Sequence, residues 1–265
     1  LLRQVLPLDA EMAPMPGSGL DAVGDTAAKA GNGVIRKYRG RALLVATGSC
    51  AVNCRYCFRR HFPYAEETAA AGGWREAIEL IRADDSIDEV ILSGGDPWSL
   101  ATAKLAELTD ALATVPHLRR LRVHTRLPVV LPERVDTALL EWVARLPWPL
   151  TVVLHVNHAN EFDASVDAAL ARLRQAGANL LNQAVLLRGV NDNVDALADL
   201  CERGYRAGVL PYYLHQLDRV QGAAHFEVPD EQARALHSAL AARLSGYLVP
   251  RLVREVAGDT GKRPL

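Results

Sequence analysis

Three cysteines stand close together at Cys50, Cys54 and Cys57, in the run Ser-Cys-Ala-Val-Asn-Cys-Arg-Tyr-Cys-Phe-Arg-Arg. This C-x3-C-x2-C spacing puts three thiolates on one short loop, enough to hold three irons of a [4Fe–4S] cluster. The fourth iron is then left to a small molecule, which points to chemistry at iron rather than plain electron transfer. A structural zinc site calls for four ligands, commonly as two pairs. The remaining cysteine, Cys201, lies far along the chain, and His61 stands four residues past Cys57, a spacing that suits no common ligand pair. With four cysteines in 265 residues and no visible secretory leader, a disulfide framework is disfavoured.

Other residues carry potential chemistry. Ser93-Gly94-Gly95-Asp96-Pro97 is a glycine turn directly after an apolar run, and glycines let backbone approach a ligand closely. Arg59 and Arg60 follow the cysteines; paired arginines are often merely solvated, yet beside such a cluster Arg59 can hold a carboxylate through its planar fork. Lys262 lies in Gly258-Asp259-Thr260-Gly261-Lys262-Arg263-Pro264. By composition a lysine there reads first as a surface residue; on a small-residue loop it can instead form a Schiff base with pyridoxal phosphate (PLP). Asp218 and Glu255 read singly as surface acids; jointly they can bind an ammonium group, because a buried charge needs a partner.

Positioning these residues requires a frame. Strand-like runs at 42–46, 89–93, 120–124, 151–155, 180–187 and 209–214 alternate with helix-like stretches at 74–83, 102–114, 132–146, 163–176 and 194–207, and a last helix spans 230–244. Six β–α units in series predict an α/β fold with a parallel sheet, an open partial (β/α)6 barrel rather than a closed ring of eight. Residues 1–35 read as an irregular lead-in, 36–228 as the barrel and 229–265 as a C-terminal helix with the Lys262 segment. The candidate residues fall where strands end, the expected place for function in such folds.

Composition sets the wider limits. Hydrophobic residues make up 49% and the net charge is −1, so nothing in the overall balance draws the chain to nucleic acid or to an anionic membrane. No apolar run approaches the roughly 20 residues of a membrane span. Unpaired thiols and an oxygen-sensitive cluster predict a reducing cytoplasm. The chain opens at Leu1 without methionine, so a further N-terminal region is expected.

The cysteine spacing resembles that of radical S-adenosylmethionine (SAM) enzymes. Over nearly the whole chain the sequence is similar to the lysine 2,3-aminomutase family, which combines radical SAM chemistry with PLP. The runs Cys50-Ala-Val-Asn-Cys-Arg-Tyr-Cys-Phe-Arg-Arg-His-Phe-Pro-Tyr64, Leu181-Asn-Gln-Ala-Val-Leu-Leu-Arg-Gly-Val-Asn-Asp192, Pro211-Tyr-Tyr-Leu-His215 and Val220-Gln-Gly-Ala-Ala-His-Phe226 resemble its EpmB-type branch, which serves elongation factor P. The resemblance implies the same partial barrel and conversion of L-α-lysine to (R)-β-lysine. It assigns Cys50, Cys54 and Cys57 to the cluster; Ser93, Gly94, Gly95, Asp96, Arg126, His155 and Gln183 to SAM; and Lys262 to PLP, with Lys37 and Arg41 near the cofactor phosphate. Arg59 matches the site of the substrate carboxylate, and Asp218 and Glu255 match the pair of acids that grip its distant ammonium. Relatives in lysine catabolism carry aspartate where Glu255 stands and a zinc-ligand cysteine where Asn193 stands. Expected partners are L-lysine, an electron donor such as flavodoxin or ferredoxin, and, functionally, elongation factor P with its lysine ligase; a homodimer is compatible with the sequence. Rival readings are a mutase for another amino acid or for protein-bound lysine, a radical SAM protein without PLP, and a cluster-bearing binding partner of the translation machinery.

Overall fold

The computed structural model describes residues 1–14, 16–66 and 74–265. Among these, ten strands form one sheet in chain order. A short hairpin of β1 (Lys29–Gly31) and β2 (Val34–Ile35) leads antiparallel into β3 (Arg41–Thr47). From there β4 (Glu89–Gly94), β5 (Arg120–Thr125), β6 (Leu150–Leu154), β7 (Asn179–Val185), β8 (Leu210–His215) and β9 (Arg251–Arg254) follow in parallel. The last strand, β10 (Arg263–Pro264), turns back antiparallel on β9. The first and last strands are not neighbours, so the barrel stays open.

The helices are α1 (Arg75–Arg82), α2 (Thr102–Leu112), α3 (Leu127–Val130), α4 (Thr137–Arg145), α5 (Ala164–Gln175), α6 (Val194–Arg206) and α7 (Asp230–Arg243). None is long and apolar enough to cross a membrane. Their starts follow local chemistry: the Asp163 carboxylate accepts from the backbone N–H of Ser165 and Val166, and Asn193 accepts from that of Ala196. Asn193, the zinc-ligand position of some relatives, thus caps α6.

The period-2 alternation of each strand divides the sheet's two faces. Ala42, Leu44, Val90, Leu92, Leu121, Val123, Val152, Leu154, Leu180 and Ala184 pack with the helices in one core. The intervening residues Leu43, Ile91, Ser93, Arg122, His124, Gln183, Tyr213 and His215 line an internal cavity.

Three differences from the sequence pattern have physical reasons. The helix expected over 132–146 opens instead as a 3-10 turn, Pro132–Arg134, and becomes α-helical only at α4. Pro132 cannot donate to a continuing helix, and the Asp136 carboxylate accepts from Leu139 N at 2.8 Å to start a new one. The lead-in is not wholly irregular: it forms β1 and β2 and buries Gln4, Val23 and Asp25. The parallel sheet also runs past residue 228, because β9 pairs with β8. Tyr213, Leu214 and His215 find backbone partners there in Arg251, Leu252 and Val253.

Candidate active site

Every site residue singled out in the sequence lines one cavity of about 260 Å³, with Arg60 alone turned outside toward Glu11. The polar lining gathers around the C-terminal ends of the parallel strands. The cysteines sit on the loop after β3, and Ser93 and Gly94 close β4. Arg126 follows β5, His155 follows β6 and Gln183 lies on β7. Asp218 lies beyond β8, and Glu255 follows β9.

The cysteine loop is held from two sides. Gly95 N donates to Thr47 O at 2.7 Å and Asp96 N to Ser49 O at 2.8 Å, while Arg55 N donates to Gln4 O at 2.8 Å. A Cβ on Gly95 would lie 2.4 Å from Ser49 O, and one on Gly94, which has φ +115°, would lie 2.6 Å from Thr47 O. The glycine turn therefore admits the cysteine loop's own backbone. Both glycines also line the cavity, so their backbone is presented to it as well as to the loop.

The three thiols are free. Among the described residues, no three His, Cys, Asp or Glu side chains converge on a point that one ion could occupy. A [4Fe–4S] cluster takes one thiolate at each iron, so its ligands do not converge on one point.

Arg126 backs this loop. Its Nη1 donates to Cys54 Sγ at 2.9 Å and to the Tyr56 hydroxyl at 3.1 Å; its Nη2 donates to Glu161 Oε2 at 2.6 Å and Gln4 Oε1 at 3.1 Å. Asp96 is likewise engaged with the protein. It accepts from Trp98 N, the Thr125 hydroxyl, Arg126 N and Leu127 N at 2.7–3.1 Å. Both residues shape the wall, and Asp96 has spent its acceptors on it.

Polar atoms without protein partners face the cavity elsewhere. Gln183 Nε2 meets His155 Nε2 at 3.2 Å, and burial pushes His155 down to about 4, which leaves the imidazole a neutral acceptor. Gln183 Oε1, His124 Nε2 and His215 Nε2 are buried without hydrogen-bond partners.

A chain of alternating charges runs along one wall. Arg59 Nε donates to Asp25 Oδ2 at 2.5 Å, and Asp25 Oδ1 lies 2.6 Å from Lys37 Nζ. Lys37 Nζ reaches Glu255 Oε1 at 2.8 Å, and Glu255 Oε2 lies 2.6 Å from Lys262 Nζ. Burial raises the Glu255 carboxyl, but Lys262 and Lys37 outweigh it and hold it down to about 2.

Two expectations change here. Lys37, expected near a phosphate, is occupied by two carboxylates and the Val23 carbonyl. Arg41 stacks on Tyr38 at 5.2 Å and has no carboxylate partner among the described residues. Glu255 is likewise taken by two lysines, whereas the half-buried Asp218 carboxylate has no ion pair or hydrogen bond among the described residues. Burial, and then the charge of Glu255, push Asp218 up to about 7.

Asp25, Gln4 and Glu161 are functional neighbours that the sequence does not announce. Asp25 and Gln4 lie in a segment without periodicity, and no spacing ties them to the cysteines.

No family model matches the chain. An L-lysine 2,3-aminomutase of Escherichia coli K12 is 49% identical over 265 residues, covering 100% of this chain and 77% of that protein. One from Haemophilus influenzae is 45% identical over 262 residues, covering 99% and 78%. One from Clostridium subterminale is 34% identical over 234 residues, covering 88% and 56%. Among solved structures, a radical SAM methyltransferase from Sphaerobacter thermophilus superposes with a TM-score of 0.53 at 19% identity, over 83% of this chain and 68% of that one. A structure described as native anSMEcpe with bound AdoMet and a peptide gives 0.56 at 9% identity, over 75% and 57%. These two carry the fold, a radical SAM partial barrel. The full-length identities carry the family: the chain belongs to the L-lysine 2,3-aminomutases, which are isomerases.

Proposed function

We propose that this enzyme converts L-α-lysine to (R)-β-lysine with a [4Fe–4S] cluster, SAM and PLP, and that the product serves modification of elongation factor P. The observation that carries this reading is the shared cavity. Three free thiols, Lys262, the guanidinium of Arg59 and the unpaired carboxylate of Asp218 all face it.

The residues present fit the three groups. Cys50, Cys54 and Cys57 would hold the cluster, with Arg126 donating to the Cys54 sulfur. The unpartnered Gln183 Oε1 and His124 Nε2 are acceptors or donors for a polar ligand such as SAM. Lys262 would hold PLP beside Tyr213, whose ring centre is 5.8 Å from its Nζ, and Arg41 is the available cation for the phosphate. Bound there, the cluster and SAM supply a hydrogen-abstracting radical, and PLP supplies a carbonyl for the substrate amine.

The chain's own part is placement. A lysine held by its α-amine leaves one carboxylate and one remote ammonium to be recognised. Arg59 receives the carboxylate and Asp218 the ammonium, with Glu255 adding negative field on the same wall. Leu43, Ile91, Val130, Val185 and Leu217 make the cavity's apolar surface and exclude water from reactive species. A flavodoxin or ferredoxin would deliver the electron, and a reducing cytoplasm suits the free thiols.

The test is anaerobic incubation of the iron-reconstituted protein with SAM, PLP, dithionite and L-lysine. Accumulation of (R)-β-lysine is expected. SAM cleavage with no isomerised lysine would reject free lysine as the substrate.

A further inference from the structure

Asp25 belongs to no strand or helix, yet it is 2% exposed and touches two cations. A carboxylate this buried is retained only where charges and hydrogen bonds compensate its lost hydration. The segment is built to deliver it. Asp21 accepts from Asp25 N at 2.9 Å and from Thr26 N at 2.8 Å, closing a side-chain turn around the residue. Gly24 supplies φ +71° immediately before it, and Lys37 is fixed in turn by the Val23 carbonyl at 2.8 Å.

The consequence falls on Arg59. A guanidinium has five N–H donors in one plane. Asp25 takes Nε at 2.5 Å, and the Ser93 hydroxyl accepts from Nη1 at 3.0 Å. These contacts, from two segments distant in sequence, fix the plane; among the described residues Nη2 and the second Nη1 hydrogen have no other partner and form the edge open to a ligand. Phe58 lies under the guanidinium, 4.8 Å from its carbon, and blocks one face.

We propose that Asp25 is a positioning residue for substrate-carboxylate recognition: it orients Arg59 so that the Nη edge meets the carboxylate of an α-amino acid. The inference rests on the reading of Arg59 as the carboxylate site. Asp25 does not touch the ligand. Asp25 also pairs with Lys37, whose link through Glu255 to Lys262 bears on every amine bound there, so the positioning role is read only from a loss specific to the carboxylate. A free fork would lose the alignment that makes a two-point contact with a carboxylate strong.

The test uses the cluster- and PLP-loaded protein without reductant, so that no turnover occurs, and reads ligand binding from the PLP absorbance. L-lysine is compared with L-lysinamide, which keeps both amines and lacks the carboxylate charge. Asp25→Asn is expected to weaken L-lysine by about tenfold or more, to leave L-lysinamide within about twofold, and to keep the native iron content. Added to Arg59→Gln, it is expected to cost nothing further for L-lysine. If Asp25→Asn does not fold, Asp25→Glu serves, since it keeps the charge but moves the fork by one methylene; the same selective loss is expected. Native-like binding of L-lysine by the Asp25 variant, with weakened binding by Arg59→Gln, would overturn the role of Asp25 alone. Equal loss of both ligands would also overturn it, by showing a structural role. Native-like L-lysine binding by Arg59→Gln would overturn the carboxylate site itself, and the positioning role with it.

Discussion

Lys262 Nζ lies 2.6 Å from Glu255 Oε2, just beyond the Arg254–Arg263 pair that ends the β9–β10 ladder. Opposite charges facing each other across antiparallel strands stabilise the pairing. Here the pair also aims a lysine near the C-terminus back into the cavity. Leu265 N donates to Leu252 O at 3.2 Å and ties down the chain end. The hairpin thus makes a lysine near the end of the chain part of the barrel interior.

Lys262→Ala is expected to keep the broad iron–sulfur absorption and to lose PLP that borohydride can trap on the chain. Mutase activity should disappear with it. Peptide mapping that finds trapped PLP on another lysine would refute the assignment.

The cysteines divide by place. Cys54→Ala should strip iron from the reconstituted protein. Cys201 is 5% exposed on α6 and packs in the helix–sheet core, so Cys201→Ala should keep its iron and cost only roughly 1 kcal/mol in urea unfolding. Equal iron loss in both variants would contradict three-cysteine ligation.

Gly95→Ala probes the contact between the two loops. Its Cβ would stand 2.4 Å from Ser49 O, with Gly48 C also at 2.7 Å, and backbone cannot step aside as a flexible side chain can. The cysteine loop must move, so iron retention should fall while the fold, read by far-UV circular dichroism, persists. Full iron content in the variant would show that the glycine is not needed there.

Much of this architecture is legible in the sequence because it is local and periodic. Strand alternation gives the two faces of the sheet, and the C-x3-C-x2-C spacing marks the loop after β3 whose three thiols line the cavity. Legibility fails where partners come from afar. Asp25 meets Arg59 across 34 residues and Lys37 meets Glu255 across 218, and neither contact leaves a pattern in the sequence. The glycine turn shows the same limit from the other side. Its residues are plain to see, but the space they keep open belongs to Thr47 and Ser49.

Asp218 makes a sharper prediction through pH. Burial pushes its carboxyl up to about 7, with Glu255 and Asp25 adding to the rise and Lys262 and Lys37 opposing it. The unfolded carboxyl titrates near 3.9, so the fold favours the protonated form. Stability from this group is therefore present below about pH 4 and lost as pH rises through about 7, on the order of 2–4 kcal/mol at most. Asp218→Asn should remove that loss and gain stability over the native chain at pH 8 relative to pH 5, read by urea unfolding. Binding runs the opposite way. A substrate ammonium stays charged across this range and needs Asp218 ionised, so the KM for L-lysine should fall by up to about tenfold from pH 6 to pH 8. Norleucine, which lacks the remote amine, should not show this fall and so controls for titration of the α-amine. In Asp218→Asn, lysine should bind weakly at every pH, with kcat/KM reduced by about 2–4 kcal/mol in transition-state terms, and its pH profile should match that of norleucine. A native-like lysine profile in this variant would remove Asp218 from the ammonium site and leave Glu255 to carry it despite its two lysine partners.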